Sequence, residues 1–443
     1  MALLAYDKTS PESLLEFARG LSGKTLAEAV DTSIVLENVR NKGDLGAMIE
    51  RYYFGYAPNS SHGPDFAEAG VELKTAGVLR NPKGGFKAKE RLVLTMINYM
   101  TLVDEGWDSS SLMDKCRLML ILFYLYEKSV AVVDRRFVFD PLLFTFPAED
   151  LEIIQRDWET IKTKIKEGKA HELSEGDTYY LGACRKGSGG VNEKLKEQPF
   201  STVKAKARAF SLKPSYVNRI IEGHAVEANI LATSPSLTIE DATYSKFKPF
   251  IGKTVDEIAG EFGIFKQGKN DKGFYRTLTM HIIGAGNKRI VPELDKAGVE
   301  LKTIRVNEDW APAEPMSFPA FKYLDIVHEE WEQSKFFGKV EQKFLFVIFR
   351  KDSDGELRLA KVAYWNMPYA DRQEAQRVWE DTKRRVMIDA SDLPRSVESR
   401  VAHVRPKARD GKDTLPTPQG NHLIKQCFWL NKSYIASVIS NLH

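Results

Sequence analysis

Asp65 follows Pro64, and after six intervening residues the chain reads Glu72-Leu73-Lys74. In an extended segment residues two apart share a face, so Glu72 and Lys74 project together while Leu73 points to the other side. Asp65, entering from the preceding turn, reaches the same face. Two converging carboxylates make a hard oxygen site suited to Mg²⁺, which takes one or two carboxylates and otherwise keeps its water. Such an ion generates a hydroxide nucleophile and stabilises charge on a phosphoryl oxygen, while Lys74 would steer the attacking water or neutralise the developing charge. These are the parts needed to hydrolyse a phosphodiester. The same residues also describe an amphipathic strand with an ion-paired outer face. Glu-x-Lys alone recurs at Glu167–Lys169 and Glu341–Lys343, which read as solvated surface. Glu50, fifteen residues before Asp65, either adds a third carboxylate or belongs to a solvated helix face.

The elements that must position these groups are those of a mixed α/β protein. The pattern predicts an amphipathic helix over Pro11–Arg19 and a second around Leu45–Tyr53, with Leu45, Met48, Ile49 and Tyr52 on one face. Strands are expected at Val71–Thr75, Leu92–Asn98 and Leu118–Tyr126, a helix over Ala148–Glu167, and a Gly/Lys-rich loop from Leu181. Leu118–Tyr126 is the longest apolar run at nine residues, well under the ~20 of a membrane helix, and reads as a buried strand. Cys116, Cys184 and Cys427 are too few and too widely spaced for a disulfide framework. No signal peptide is evident before Ser10-Pro11. The expectation is a cytoplasmic protein with no membrane partner.

The chain repeats itself. Ala-Gly-Val-Glu-Leu-Lys-Thr occurs at 69–75 and 297–303, Gly-Lys-Thr-x-x-Glu at 23–28 and 252–257, and Lys-Gly at 42–43 and 272–273. Trp158-Glu159, Ala170-His171 and Phe210-x-Leu-x-x-Ser-Tyr216 return as Trp379-Glu380, Ala402-His403 and Phe428-x-Leu-x-x-Ser-Tyr434. Matches in one order, at offsets of 218 to 232, argue for two copies of one domain. The expected division is 1–225, a linker at 226–240, and 241–443.

The 64 Lys+Arg and 61 Asp+Glu of the 443 residues leave a net charge of +3, which by itself gives no reason to expect a nucleic acid. Its distribution does. Between Cys184 and Lys213, Arg185, Lys186, Lys194, Lys196, Lys204, Lys206, Arg208 and Lys213 stand against Glu193 and Glu197, so thirty residues carry +6 and the remainder −3. With the Gly187-Ser-Gly-Gly190 turn this segment suits contacts to phosphates, or else a solvated loop. Arg395–Asp413 is a milder basic stretch. Gly-Lys-Thr is no phosphate loop, because Ala18 and Phe247 replace the required earlier glycine. The chain has no His-Glu-x-x-His zinc motif and no Gly-x-Ser-x-Gly elbow, and His171 and His403 read as hydrogen-bonded structural histidines.

Taken together, Lys42–Glu50, Pro64–Lys74, Lys89–Leu94, Glu167–Gly176 and Lys204–Lys213 resemble the MutH and Sau-type family of nucleases, which act at GATC. The resemblance implies an α/β fold of two tandem PD-(D/E)xK domains, each a mixed β-sheet flanked by helices, cutting double-stranded DNA with Mg²⁺. By motif position Asp65 and Glu72 would hold the metal, Lys74 would assist the attacking water, Glu50 would be the extra helical carboxylate and Lys115 a second active-site lysine. Lys42, Gly43 and, in the second copy, Lys272 would approach DNA. Arg185 and Lys186 fall in the base-reading segment, with Lys204, Lys206, Arg208 and Lys213 beside it; Arg is chemically apt for guanine. Ser211 departs from the family, where MutH carries a Tyr.

In the second copy Glu300 and Lys302 remain, but Met280 falls at the Glu50 position, Glu293 at that of Asp65 and Glu341 at that of Lys115. Arg405-Pro406-Lys407 resembles the DNA-reading segment. The expectation is a second domain that binds DNA without cutting and, as in related enzymes, activates the first; a weak second site on Glu293 and Glu300 stays open. One complete set for two equivalent strands implies dimerisation on DNA or two successive nicks. The leading reading is a type II restriction endonuclease; a MutH-like repair nickase and a non-catalytic GATC-binding protein are the alternatives.

Overall fold

A computed structural model describes residues 6–30, 45–56, 63–82, 84–187, 193–223, 231, 237–266 and 273–442. Lys42, Gly43, Lys272 and most of the expected linker lie outside them. The chain divides into two compact units, the first of Met1–Leu173, Thr178–Glu227 and Lys296–Gly298, the second of Ser174–Asp177, Ala228–Asp295 and Val299–His443.

The first unit contains β1 (Glu72–Arg80), β2 (Phe86–Ala88), β3 (Leu92–Met96), β4 (Met119–Leu125), β5 (Leu142–Phe144), β6 (Leu181–Arg185), β7 (Lys196–Gln198), β8 (Ser201–Ala205) and β9 (Arg208–Leu212). Its main sheet has the order β2-β1-β4-β5, and a second runs β3-β9-β6. Every residue of β4 is buried, as expected for a strand covered on both faces. It pairs in parallel with β1, setting Glu72 opposite Met119. Leu14, Ile49, Phe54, Phe66, Leu73 and Leu120 share the core behind the sheet.

The second unit contains β10 (Glu300–Val306), β11 (Met316–Ala320), β12 (Lys343–Lys351), β13 (Leu357–Asn366), β14 (Ala402–Pro406), β15 (Thr414–Pro416), β16 (His422–Ile424) and β17 (Gln426–Leu430). Its sheets run β10-β12-β13 and β11-β17-β14. β10 and β12 are parallel, with Glu300 opposite Phe344, so the strand pair that carries Glu72 is built twice.

The repeated motifs explain themselves locally. Gly-Lys-Thr-x-x-Glu is a capping box in both copies: the Thr25 and Thr254 hydroxyls accept from the Glu28 and Glu257 amides, and the glutamates accept from the threonine amides. The repeated Tyr216 and Tyr434 donate to Asp150 and Asp371, both at 2.8 Å, pinning each last helix to the start of a long one, Ala148–Lys166 or Tyr369–Ile388. His171 contacts the Gln198 amide and His403 the Asn431 side chain, a structural use of each.

The loop expected from Leu181 is instead strand β6. Asp157, on the long helix, accepts from the amides of Tyr179 (2.7 Å), Tyr180 (2.6 Å) and Leu181 (2.9 Å) and fixes the entry to that strand. Two expected DNA contacts are also corrected here. Arg208 is buried and donates to the carbonyls of Ala183 and Leu173. Lys213 is buried with its ammonium on the Thr178 carbonyl at 2.6 Å. Both charges are spent satisfying interior carbonyls, because β9 is buried along its whole length.

Candidate active site

The spacing between Asp65 and Glu72 is a small hairpin. Phe66 and Val71 exchange backbone hydrogen bonds at 2.9 and 3.2 Å, and Gly70, at φ +66°, makes the reversal. The flanking residues 65 and 72 therefore face each other. The Asp65 amide donates to Glu72 Oε2 at 3.1 Å, and Asp65 Oδ2 accepts from the Leu73 amide at 3.0 Å. Leu73 turns into the core.

Two lysines complete the cluster. Lys74 Nζ lies 2.7 Å from Glu72 Oε1 and 2.7 Å from the Leu94 carbonyl. Lys115, on the last turn of the helix Ser111–Cys116, stands 3.5 Å from the same Glu72 oxygen. Ser110 caps that helix through the Met113 amide. Glu50 sits where the helix Leu45–Met48 widens into a π-helical turn, Ile49–Tyr53, an irregularity often found at functional sites. Desolvation, then the charges of Asp65 and Glu72, push its carboxyl up to about 7. Burial raises Glu72 to about 7 as well, against Lys74 and with Asp65. The five predicted residues thus act on one another. The role of the Leu94 carbonyl was not legible in sequence, since a backbone acceptor has no residue signature.

Among the described residues no three His, Cys, Asp or Glu side chains form a ready-made metal cage. Asp65 and Glu72 nevertheless fit a hard divalent cation that keeps part of its water shell, because each already has one oxygen steadied by a backbone amide. Mutual repulsion of the carboxylates is the charge such a cation would neutralise.

This gives a pH prediction. A carboxyl raised from its ordinary range to about 7 adds stability below that range and loses it as pH climbs through 7. The melting temperature of the metal-free protein is therefore expected to fall between pH 5 and 8, and Mg²⁺ to raise it more at pH 8 than at pH 5.5. Thermal melts with and without Mg²⁺ check this; an equal Mg²⁺ effect at both pH values would count against the cluster.

The basic segment is partly self-neutralised. Arg185 lies 3.0 Å and Lys206 3.4 Å from Glu193, whose side chain is only 8% exposed. Lys204 pairs with Glu197 at 2.6 Å while staying exposed. Lys186 is half-buried and its amide donates to the Ala207 carbonyl. The charge count set Glu193 against the run as a whole, but could not show that it pairs with Arg185 and Lys206 in particular.

The second unit keeps part of the cluster. Lys302 lies 2.7 Å from Glu300, and Lys339 binds the other Glu300 oxygen. Lys339, not Glu341, takes the Lys115 position: Ser334 caps the helix Lys335–Val340 as Ser110 caps its counterpart, and both lysines come five residues after the cap. Glu341 is buried against Arg372 at 3.1 Å. Pro292–Lys296 winds into a helical turn, and Glu293 accepts from the Leu231 amide at 2.7 Å. Met280 is buried on the helix Phe274–Ile283. Arg405 is exposed, stacked 5.1 Å from the centre of the Trp429 ring, and Lys407 donates to Ser317 Oγ and the Phe318 carbonyl, each at 2.9 Å.

A family model described as DNA mismatch repair enzyme MutH matches residues 54–157 and 284–381, one stretch for each site strand. The type II restriction enzyme Sau3AI of Staphylococcus aureus is 31% identical over 94% of this chain and 97% of its own length. The chain belongs to the MutH family, in its type II restriction endonuclease branch. DNA mismatch repair proteins MutH of Yersinia enterocolitica (28% identical) and Vibrio campbellii (27%) match 49% and 50% of this chain over 94% and 98% of their own lengths. A whole MutH therefore corresponds to about half of this MutH-family chain, whose two units are tandem MutH-like domains. Membership makes it a site-specific deoxyribonuclease. No helix among the described residues is long and apolar enough to cross a membrane.

Proposed function

We propose that this chain is a cytoplasmic restriction endonuclease that hydrolyses double-stranded DNA at GATC with Mg²⁺, cutting with the first unit and holding a second GATC site as effector with the second. The supporting observation is the asymmetry of the two clusters: Glu50, Asp65, Glu72, Lys74 and Lys115 interact in the first, whereas Glu300 meets Lys302 and Lys339 in the second.

Asp65 and Glu72 would hold the ion. Bound there, Mg²⁺ supplies positive charge to the phosphate and acidifies water. Lys74, fixed between Glu72 and the Leu94 carbonyl, orients the attacking water and offsets charge developing on the phosphoryl oxygens. Lys115 holds the same Glu72 oxygen at 3.5 Å, and Glu50 adds negative charge that tightens the hold on the cation. Arg185, Lys186, Lys204 and Lys206 contact the duplex of the first unit, and DNA displaces their links to Glu193 and Glu197. Arg405 and Lys407 serve the second. Two chains related by two-fold symmetry, or two successive nicks, cut both strands.

A plasmid carrying GATC sites, incubated with the purified chain and Mg²⁺, is expected to give linear fragments whose ends map to GATC. EDTA and Asp65→Ala should both abolish cutting. Intact plasmid under every condition would leave a binding protein, and nicks that appear only with an added repair partner would leave a MutH-like nickase.

A further inference from the structure

We infer that the Glu300–Lys302–Lys339 cluster of the second unit is a phosphate seat that works without metal. The inference rests on the reading that this unit holds DNA, and it names the atoms that do so. In the first unit three carboxylates stand with two lysines, a negative cluster that can receive a phosphodiester only when a cation bridges them. In the second unit a single carboxylate, Glu300, stands between two ammonium groups, which leaves the cluster net positive. Its ion pairs hold Glu300 below the ordinary carboxylate range despite burial, so it stays ionised and acts as a spacer that sets the two lysines on one face.

Access points the same way. The Glu72 and Lys74 side chains are 3% and 13% exposed, whereas Glu300, Lys302 and Lys339 are 26%, 29% and 30% exposed. The second cluster is more open to a ligand, and Glu300 opens the β10–β12 parallel pair as Glu72 opens β1–β4. The remaining acidic positions have left it: Met280 is buried in the core, and Glu293 is turned to the Leu231 amide. Lys339 also lies 3.2 Å from Gln342 Oε1, a neutral neighbour that fixes the ammonium without cancelling it. Two ammonium groups spaced by a carboxylate can straddle the non-bridging oxygens of one backbone phosphate as point charges.

The test is binding of a fluorescent GATC duplex to the full chain in EDTA, titrated over a range of salt concentrations. Wild type is expected to bind, and Lys302→Ala with Lys339→Ala should weaken that binding at least roughly tenfold and lower the salt slope by about one. Both lysines are partly exposed, and thermal melts of the double variant and of Lys302→Gln with Lys339→Gln confirm the fold. If Arg405→Ala weakens binding in EDTA while the lysine variants do not, the second unit holds DNA elsewhere and the seat is wrong. Failure of wild type to bind in EDTA would overturn the metal-free claim. If binding in EDTA ignores both sets of variants, the reading of the second unit as the DNA holder falls with it.

Discussion

Lys74→Ala will slow cleavage of a GATC duplex in a single turnover by about 10²–10⁴-fold while leaving the duplex bound. The Lys74 ammonium is fixed from two sides, by Glu72 Oε1 and the Leu94 carbonyl, each at 2.7 Å. A charge held this way costs no reorganisation when the phosphoryl oxygens gain negative charge, which is where such groups contribute most. The proposed binding surface is elsewhere, on Arg185, Lys186, Lys204 and Lys206, so on that proposal the loss belongs in the rate of the chemical step. Lys115, 3.5 Å from Glu72, keeps that carboxylate partnered after the substitution, so the site should not collapse. Lys74→Arg should fail to rescue, because a planar guanidinium cannot take the position of a compact ammonium between these two acceptors. Quenched-flow measurement of the cut strand decides the matter; a rate equal to wild type would remove Lys74 from the mechanism.

The largest expected effect on stability comes from a residue with no part in the chemistry. Asp157 is 3% exposed and accepts from three consecutive amides, those of Tyr179, Tyr180 and Leu181. Asp157→Ala leaves those buried donors without partners, at roughly 1–3 kcal/mol each, and a total loss of at least ~3 kcal/mol is expected. The unfolding transition of the first unit should move to lower denaturant while that of the second stays in place. Asp157→Asn keeps one acceptor oxygen and should lose less. Because Leu181 opens the strand that ends at Arg185, the alanine variant should also weaken DNA binding, whereas a variant with an unchanged midpoint would show that these amides find other acceptors.

The part of the site closest in sequence was the part most legible there. Asp65, Glu72 and Lys74 lie on one hairpin and one strand, so counting residues was enough to bring them together. Lys115 is distant, and only the family resemblance pointed to it. Its counterpart was misplaced on Glu341 because the offset between the copies drifts from 228 at Glu300 to 224 at Lys339; the capping serines, Ser110 and Ser334, carry the correct register. Arg208 and Lys213 were misread for a different reason. A count of charges along a segment holds no information on which face of a strand is covered, and both faces of β9 are. The repeated Gly-Lys-Thr-x-x-Glu is a capping box in both copies, a role legible only by reading the Glu together with the Thr.

The helical turn at Pro292–Lys296 bears on how the two halves can evolve. Restoring Glu at position 280 would return one carboxylate, but position 293 already carries one and still presents it to Leu231. There the second half keeps the reversal at Gly298, φ +64°, and the bond from the Val299 amide to the Leu294 carbonyl, but Pro292–Lys296 is helical and Glu293 is engaged by Leu231, so a change at position 280 alone does not rebuild the first cluster. On the proposed function, loss of cutting in that half is therefore hard to reverse in one step. Selection on such a half can tune how it grips DNA with little risk that one point mutation arms a second blade.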